Sequence, residues 1–118
     1  MNIRRIECGS RMSQAVVCNG FVYLAGQVAP DETGATTVTA QTRAALAEID
    51  RLLSEAGTSK ANLLSASIWL ADMDTFDEMN AVWDRWVVPG STPARATVEA
   101  RLAGPAYLVE IAVIAAMP

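Results

Sequence analysis

The segment Gln14-Ala15-Val16-Val17-Cys18-Asn19-Gly20-Phe21-Val22-Tyr23-Leu24-Ala25 decides how the rest of the chain is read. Two apolar runs, rich in β-branched and aromatic residues, flank Asn19-Gly20. Both residues of that pair tolerate positive φ, as the centre of a two-residue hairpin turn requires. An antiparallel sheet therefore begins here. Upstream, Ile3-Arg4-Arg5-Ile6 reads as one more short strand. Downstream, Gly26 to Ala35 contains Gly, Pro and Asp and reads as a loop.

From about Thr37 the apolar period becomes helical. Val38, Thr42, Ala45, Ile49, Leu52 and Ala56 recur at spacings of three and four and form one stripe, which Gly57 closes. Asn62 to Leu70 returns to strand. Thr75-Phe76-Asp77-Glu78 matches a capping box at the start of a second helix, whose inner face would carry Phe76, Met79, Trp83, Trp86 and Val87. Pro89-Gly90 ends it. Ala94 to Leu102 alternates, with Arg95, Thr97, Glu99 and Arg101 on one face. After Gly104-Pro105, Tyr107 to Ala116 forms a last, mostly apolar strand. The expected fold is α/β, more closely α+β, with a mixed sheet of about six strands and two helices on one of its faces. Residues 1–118 suffice for one domain. Nothing remains in the chain to cover the second face of the sheet, so oligomerisation is expected.

Composition narrows the function. The net charge is −4, from nine Lys and Arg against thirteen Asp and Glu. That balance opposes a nucleic-acid partner, whose phosphates draw affinity from clustered cations. No run of about 18 apolar residues suggests a membrane span, and no secretory segment leads the sequence, so a cytoplasmic location is expected. Cys8 and Cys18 lack companions at metal-ligand spacing. The chain has no histidine. That removes Ser-His-Asp triads, Cys-His dyads and histidine bases, leaving Arg, carboxylates, hydroxyls, backbone and water to do any chemistry.

Arg95 follows Pro93 in an apolar strand. A guanidinium there either clamps a carboxylate or phosphate with its planar fork, or lies at an edge in water or paired with Glu99 or Glu110. Glu110, inside Tyr107-Leu108-Val109-Glu110-Ile111, orients a water, pairs with Arg95 or faces solvent; an ion pair is the plainer account. Asn80 is the one amide on the apolar side of its helix and either satisfies backbone or lines a pocket. Ser13 is a ligand contact or an ordinary turn serine. Asp72, Asp74 and Asp77 suggest a metal only until one of them is read as a helix cap. Trp69, Trp83 and Trp86 read as core or interface.

Ser13-Gln14-Ala15-Val16, Gly20 to Val28, Leu70-Ala71-Asp72-Met73 with Phe76 and Asn80, Pro93-Ala94-Arg95 and Leu108-Val109-Glu110-Ile111 together resemble the RidA/YjgF reactive-intermediate deaminase family, also called L-PSP endoribonuclease-like. The resemblance runs from near Ser13 to the C-terminus. It implies a chorismate-mutase-like fold and a homotrimer with ligand clefts between subunits. The implied reaction hydrolyses enamines and imines of the 2-aminoacrylate or 2-iminobutanoate type to 2-oxo acids and ammonia, with no cofactor and no metal. Carried onto this chain, Arg95 holds the substrate carboxylate and Glu110 positions the attacking water. Met12, Ser13, Ala25, Gly26, Asn80 and Thr97 line the substrate. Three of these depart from the family pattern: Met12 replaces the usual Tyr, Ala25 the usual Ser, and Thr97 a frequent Cys or Ser. The alternatives are a non-catalytic trimer that binds small carboxylates or regulates a partner, and a ribonuclease.

Overall fold

The computed structural model describes Met1–Pro118 throughout. Three strands come first, β1 (Ile3–Cys8), β2 (Ser13–Cys18) and β3 (Phe21–Leu24). They are followed by α1 (Val38–Ala56), β4 (Leu63–Leu70), α2 (Phe76–Trp86), β5 (Ala94–Glu99) and β6 (Val109–Ala116). The strands form one six-stranded sheet in the order β1-β2-β3-β6-β4-β5. Only β4 and β5 run parallel, joined across α2; the other pairs are antiparallel. The mixed sheet with two helices expected from the sequence is the fold observed.

The Asn19-Gly20 turn forms as read, with φ of 55° and 86° at its two residues. α1 starts at Thr37, whose hydroxyl accepts from the Ala40 amide at 3.1 Å. It ends at Gly57 in the left-handed region, φ 96°, where the Gly57 amide donates to Leu53 and Ser54 carbonyls. The α1 stripe packs Leu46, Ile49, Leu52 and Leu53 against Ile68, Leu70, Val109 and Ile111 of the sheet, and Met79 joins them from α2. Gln41, a polar residue buried on α1, donates to the Ala35 and Ala106 carbonyls and accepts from the Leu108 amide. It thereby fixes the approach to β6.

Several boundaries differ from expectation. β5 stops at Glu99, whose register partner Leu70 is the last residue of β4; the Ala100 amide makes the final bond of that ladder, to the Leu70 carbonyl, and Arg101 and Leu102 lie outside the strand. β6 begins at Val109 rather than Tyr107. The capping box at Thr75 does not form. The Thr75 hydroxyl donates to the Asp72 carbonyl at 2.6 Å, and Glu78 crosses to α1, where it accepts from the Thr39 amide and hydroxyl, both at 3.0 Å. The tertiary neighbour outcompetes the local partner. Asp72 caps the short turn before α2 through the Asp74 amide. Cys8 pairs with Ser13 and Cys18 with Ile3 at opposite ends of one hairpin, five residues apart along β1. At roughly 3.3 Å per residue they are too far apart for a disulfide.

No helix is long and apolar enough to cross a membrane. Both helices lie on one face of the sheet, as their packing against inward-facing strand residues requires. The other face carries Phe21, Tyr23, Trp69, Val98 and Ile114. Tyr23 and Val98 there are 45% and 49% exposed.

Candidate functional site

Arg95 is the second residue of β5, an edge strand paired only with β4. Its register partner is Ala66, a buried residue under the helices, so the Arg95 side chain points to the helix face. There Nη1 donates to Asn80 Oδ1 of α2 at 2.7 Å. The guanidinium carbon lies 5.3 Å from the Trp83 ring centroid and 5.8 Å from that of Phe76. Phe76, Asn80 and Trp83 fall at spacings of four and three, which brings them to one side of α2. Three α2 side chains thus hold one cation. Asn80 accepts from a side chain, that of Arg95.

No carboxylate lies within ion-pair reach of Arg95; the two ion pairs of the chain both belong to Arg51. Partial burial pulls the Arg95 pKa below its ordinary value, and the negative charge of Asp84, farther away, only partly opposes that pull. A guanidinium has five N–H donors, and one is used by a protein partner here. Thr97, two residues on along β5 and on the same face, has a buried hydroxyl with no hydrogen-bond partner. A cation short of an anion and a hydroxyl short of a partner therefore lie side by side.

Glu110 sits elsewhere. On β6 it pairs with Trp69 of β4, and Trp69 alternates with the buried Ile68 and Leu70, so Glu110 faces away from the helices. Arg95 and Glu110 of one chain are on opposite faces of the sheet. The ion pairs considered from the sequence, Arg95 with Glu110 or Glu99, are absent; Glu99 instead accepts from the Met73 amide at 2.9 Å. Glu110 packs over Gly26, where a Cβ would collide with its carboxylate, and this close approach is why position 26 suits glycine. Ala25 and Gly26 are held by the Ala25 amide bonding to the Gln14 carbonyl and by Gln27. Buried Gln27 Nε2 donates to Gln14 Oε1 at 2.9 Å and to the Ala25 carbonyl at 3.1 Å. Ser13 begins β2 opposite Cys8, next to exposed Met12.

The candidate residues thus form two groups. Arg95, Asn80 and Thr97 make one, on the helix side at the β5 edge. Glu110, Gly26 and Ala25 make the other, on the open side, with Met12 and Ser13 at the nearby start of β2. None of the concavities of a single chain is lined by Arg95 or Glu110. Sequence reasoning missed Phe76 and Trp83 as guanidinium supports and Gln14 and Gln27 as the brace of the glycine turn. The three- and four-residue spacing around Asn80 was the available signal for the first pair. Trp83 and Trp86 pack together with centroids 5.3 Å apart, whereas Trp69 lies on the other face. No three His, Cys, Asp or Glu side chains come together in a group able to hold a metal ion.

Comparison with known proteins gives the family. The family profile described as Endoribonuclease L-PSP matches residues 2–117. A RutC family protein of Haemophilus ducreyi is 44% identical over 115 residues, covering 98% of this chain and 97% of that protein. The RutC family protein YoaB of Escherichia coli is 42% identical over 117 residues, covering 99% and 100%. Among solved structures, a YjgF-family protein of Neisseria meningitidis superposes with a TM-score of 0.96 at 47% identity, covering 100% of this chain and 97% of that one. A family of sequences aligned from end to end with the same α+β sheet leaves one conclusion: the chain belongs to the Endoribonuclease L-PSP family, the RutC/YjgF proteins.

Proposed function

We propose that the protein is a homotrimer that hydrolyses small carboxylate-bearing imines, formed directly or from enamines, to 2-oxo acids and ammonia in the cytoplasm. The observation that carries this reading is Arg95: a half-buried guanidinium, oriented by Asn80 and two aromatic rings, with donors free and no protein carboxylate to neutralise it. A ligand carboxylate satisfies the free donors, and the neighbouring Thr97 hydroxyl adds another.

Opposite-face placement of Arg95 and Glu110 supports a site shared between copies. One subunit supplies Arg95, Asn80 and Thr97; its neighbour supplies Glu110, Gly26, Ala25, Ser13 and Met12. The apolar open face gives the copies a surface on which to associate. In the proposed reaction, Arg95 holds the carboxylate and keeps the adjacent imine carbon oriented. Glu110 accepts a proton from water as its oxygen bonds that carbon. Glu110 returns that proton to nitrogen, giving the carbinolamine; it then passes the hydroxyl proton to the amino group, and as the carbonyl forms the C–N bond breaks and ammonia leaves. Water in and ammonia out balance the step, with no oxidant or reductant.

The test is ammonia release from freshly generated 2-iminobutanoate by the native protein and by Arg95→Ala. Charge-assisted hydrogen bonds contribute about 1.5–3 kcal/mol each, so the variant should lose about tenfold or more in kcat/KM while staying folded. Lysine at position 95 should restore little, because a point charge lacks the fork. A folded Arg95→Ala protein with unchanged turnover and unchanged 2-oxobutanoate affinity would overturn the clamp. A specific observation favours a second reading. Met12 and Ala25 bring no hydrogen-bonding side chains to the pocket, which leaves a binding trimer without turnover. Saturable 2-oxobutanoate binding through Arg95 with no ammonia release would select it.

A further inference from the structure

The helix side of the molecule has a second concavity, apart from Arg95. α1 and α2 leave between them a groove of about 260 Å³, floored by Leu46 and Val82. Arg43 of α1, Arg85 of α2 and Lys60 of the turn Lys60–Asn62 line it. These are three of the nine cationic side chains of a chain whose net charge is −4. None of the three is in an ion pair, since both ion pairs involve Arg51. The groove holds one carboxylate, Asp50, and that group accepts the Trp86 indole N–H at 3.0 Å. Lys60 Nζ lies 5.1 Å from the centroid of the same ring. One wall is therefore fixed, with Trp86 bonded at its edge, covered by Lys60 and packed on Trp83.

Three cations against one carboxylate in an otherwise acidic protein make a local positive field over an apolar floor. Mutual repulsion among them is relieved by a counter-ion of more than one charge. Two guanidinium forks match the oxygens of a phosphate, and the indole and aliphatic floor match a compact ring or chain attached to it. The volume lies near the lower end of small-ligand pockets, about 300 Å³, and is too small for a macromolecular interface. The groove is on the side opposite the open sheet face, so association through that face leaves it accessible.

We propose that the α1–α2 groove is a second ligand site, distinct from the Arg95 centre, which takes a small phosphate monoester carrying a compact apolar group. Arg43 and Arg85 grip the phosphate, Lys60 neutralises it, and Trp86, Leu46 and Val82 receive the apolar part.

The probe is phenyl phosphate, titrated into the full chain and followed by tryptophan fluorescence and calorimetry, with inorganic phosphate and benzoate alongside. Phenyl phosphate should bind saturably and at least about tenfold more tightly than either fragment. Arg85→Gln and Arg43→Gln, both at exposed positions, should each weaken it about tenfold. Asp50→Asn, which removes the opposing charge, should tighten it severalfold, a gain that misfolding cannot imitate. Arg95→Ala should leave it unchanged. The proposal is overturned if binding is not saturable, if inorganic phosphate binds as tightly, if Arg95→Ala abolishes binding while Arg85→Gln spares it, or if Asp50→Asn weakens it.

Discussion

At residue 26 a missing side chain shapes the neighbourhood of Glu110. A methyl group there would meet Glu110 Oε2 and come within 2.8 Å of its Cδ. The obstacle is the end of a flexible side chain, so Gly26→Ala should displace the carboxylate and spare the backbone. The expected result is a folded protein whose imine turnover falls about tenfold or more, since a displaced base loses its alignment with water. Its 2-oxobutanoate affinity, set at Arg95, should hold. Steady-state kinetics and a binding titration on one preparation check both halves, and undiminished turnover would show that Glu110 need not occupy this place. Arg95, Asn80 and Glu110 were each identifiable from the sequence as polar residues in apolar surroundings. Their partners were not. Whether Arg95 meets Glu110 or Asn80 depends on which face each strand shows to the helices, and that follows from register. Thr97 shows the same limit: its hydroxyl is unremarkable in the sequence and becomes notable once burial leaves it without a partner.

Among elements, α1 and α2 are tied by Glu78, which accepts two hydrogen bonds from Thr39 near the α1 N-terminus. A carboxylate there satisfies a backbone donor and complements the helix dipole. Glu78→Ala should cost about 1–2 kcal/mol in urea denaturation, as the loss of a good cap does. Had a local capping box formed, Thr75→Ala would cost as much; with the Thr75 hydroxyl donating to Asp72, it should cost less. β1 is tied to α1 by Arg51, which bonds Glu7 at 2.5 Å and Glu48 at 2.9 Å. The Arg51 hydrogen bond lowers the Glu7 pKa below the usual 4.5; desolvation opposes it, and the Arg51 charge adds a smaller pull in the same direction as the bond. A depressed acid stabilises the fold above its unfolded pKa, and that stabilisation is lost as pH falls through the lower folded value. Melting temperatures of native protein and Glu7→Gln should differ slightly at pH 7 and converge well below pH 4.5; a gap that persists in acid would show that the titration is not responsible. Both helices and the strand sequence were legible because period and turn chemistry are local. The Glu78 crossing was not, because a residue 39 positions away outbid the near one.

For the whole molecule, the sheet's open face sets the expectation of assembly. Phe21, Tyr23, Trp69, Val98 and Ile114 lie on this face with no helix over it, and Phe21, Tyr23 and Val98 are exposed there. Light scattering at micromolar concentration should give three times the chain mass, and Ala112→Glu, placing a charge on this face, should give a smaller folded species without imine turnover. A native monomer that keeps full turnover would refute the shared site. The sequence revealed the shortage of cover but not which residues form the bare face, since that again needs the register of β6. The position of β6 has a consequence for how the sheet closes. It is the last of the six strands in chain order, yet it lies inside the sheet, with β3 on one side and β4 on the other. Tyr23 must wait for Ile114, and Ala66 for Val113. Without β6, β3 and β4 would each present an unpaired edge, with backbone groups open to wrong partners. Strands β3 and β4 therefore share no sheet until β6 stands between them, and the sheet closes only with the most C-terminal of its strands.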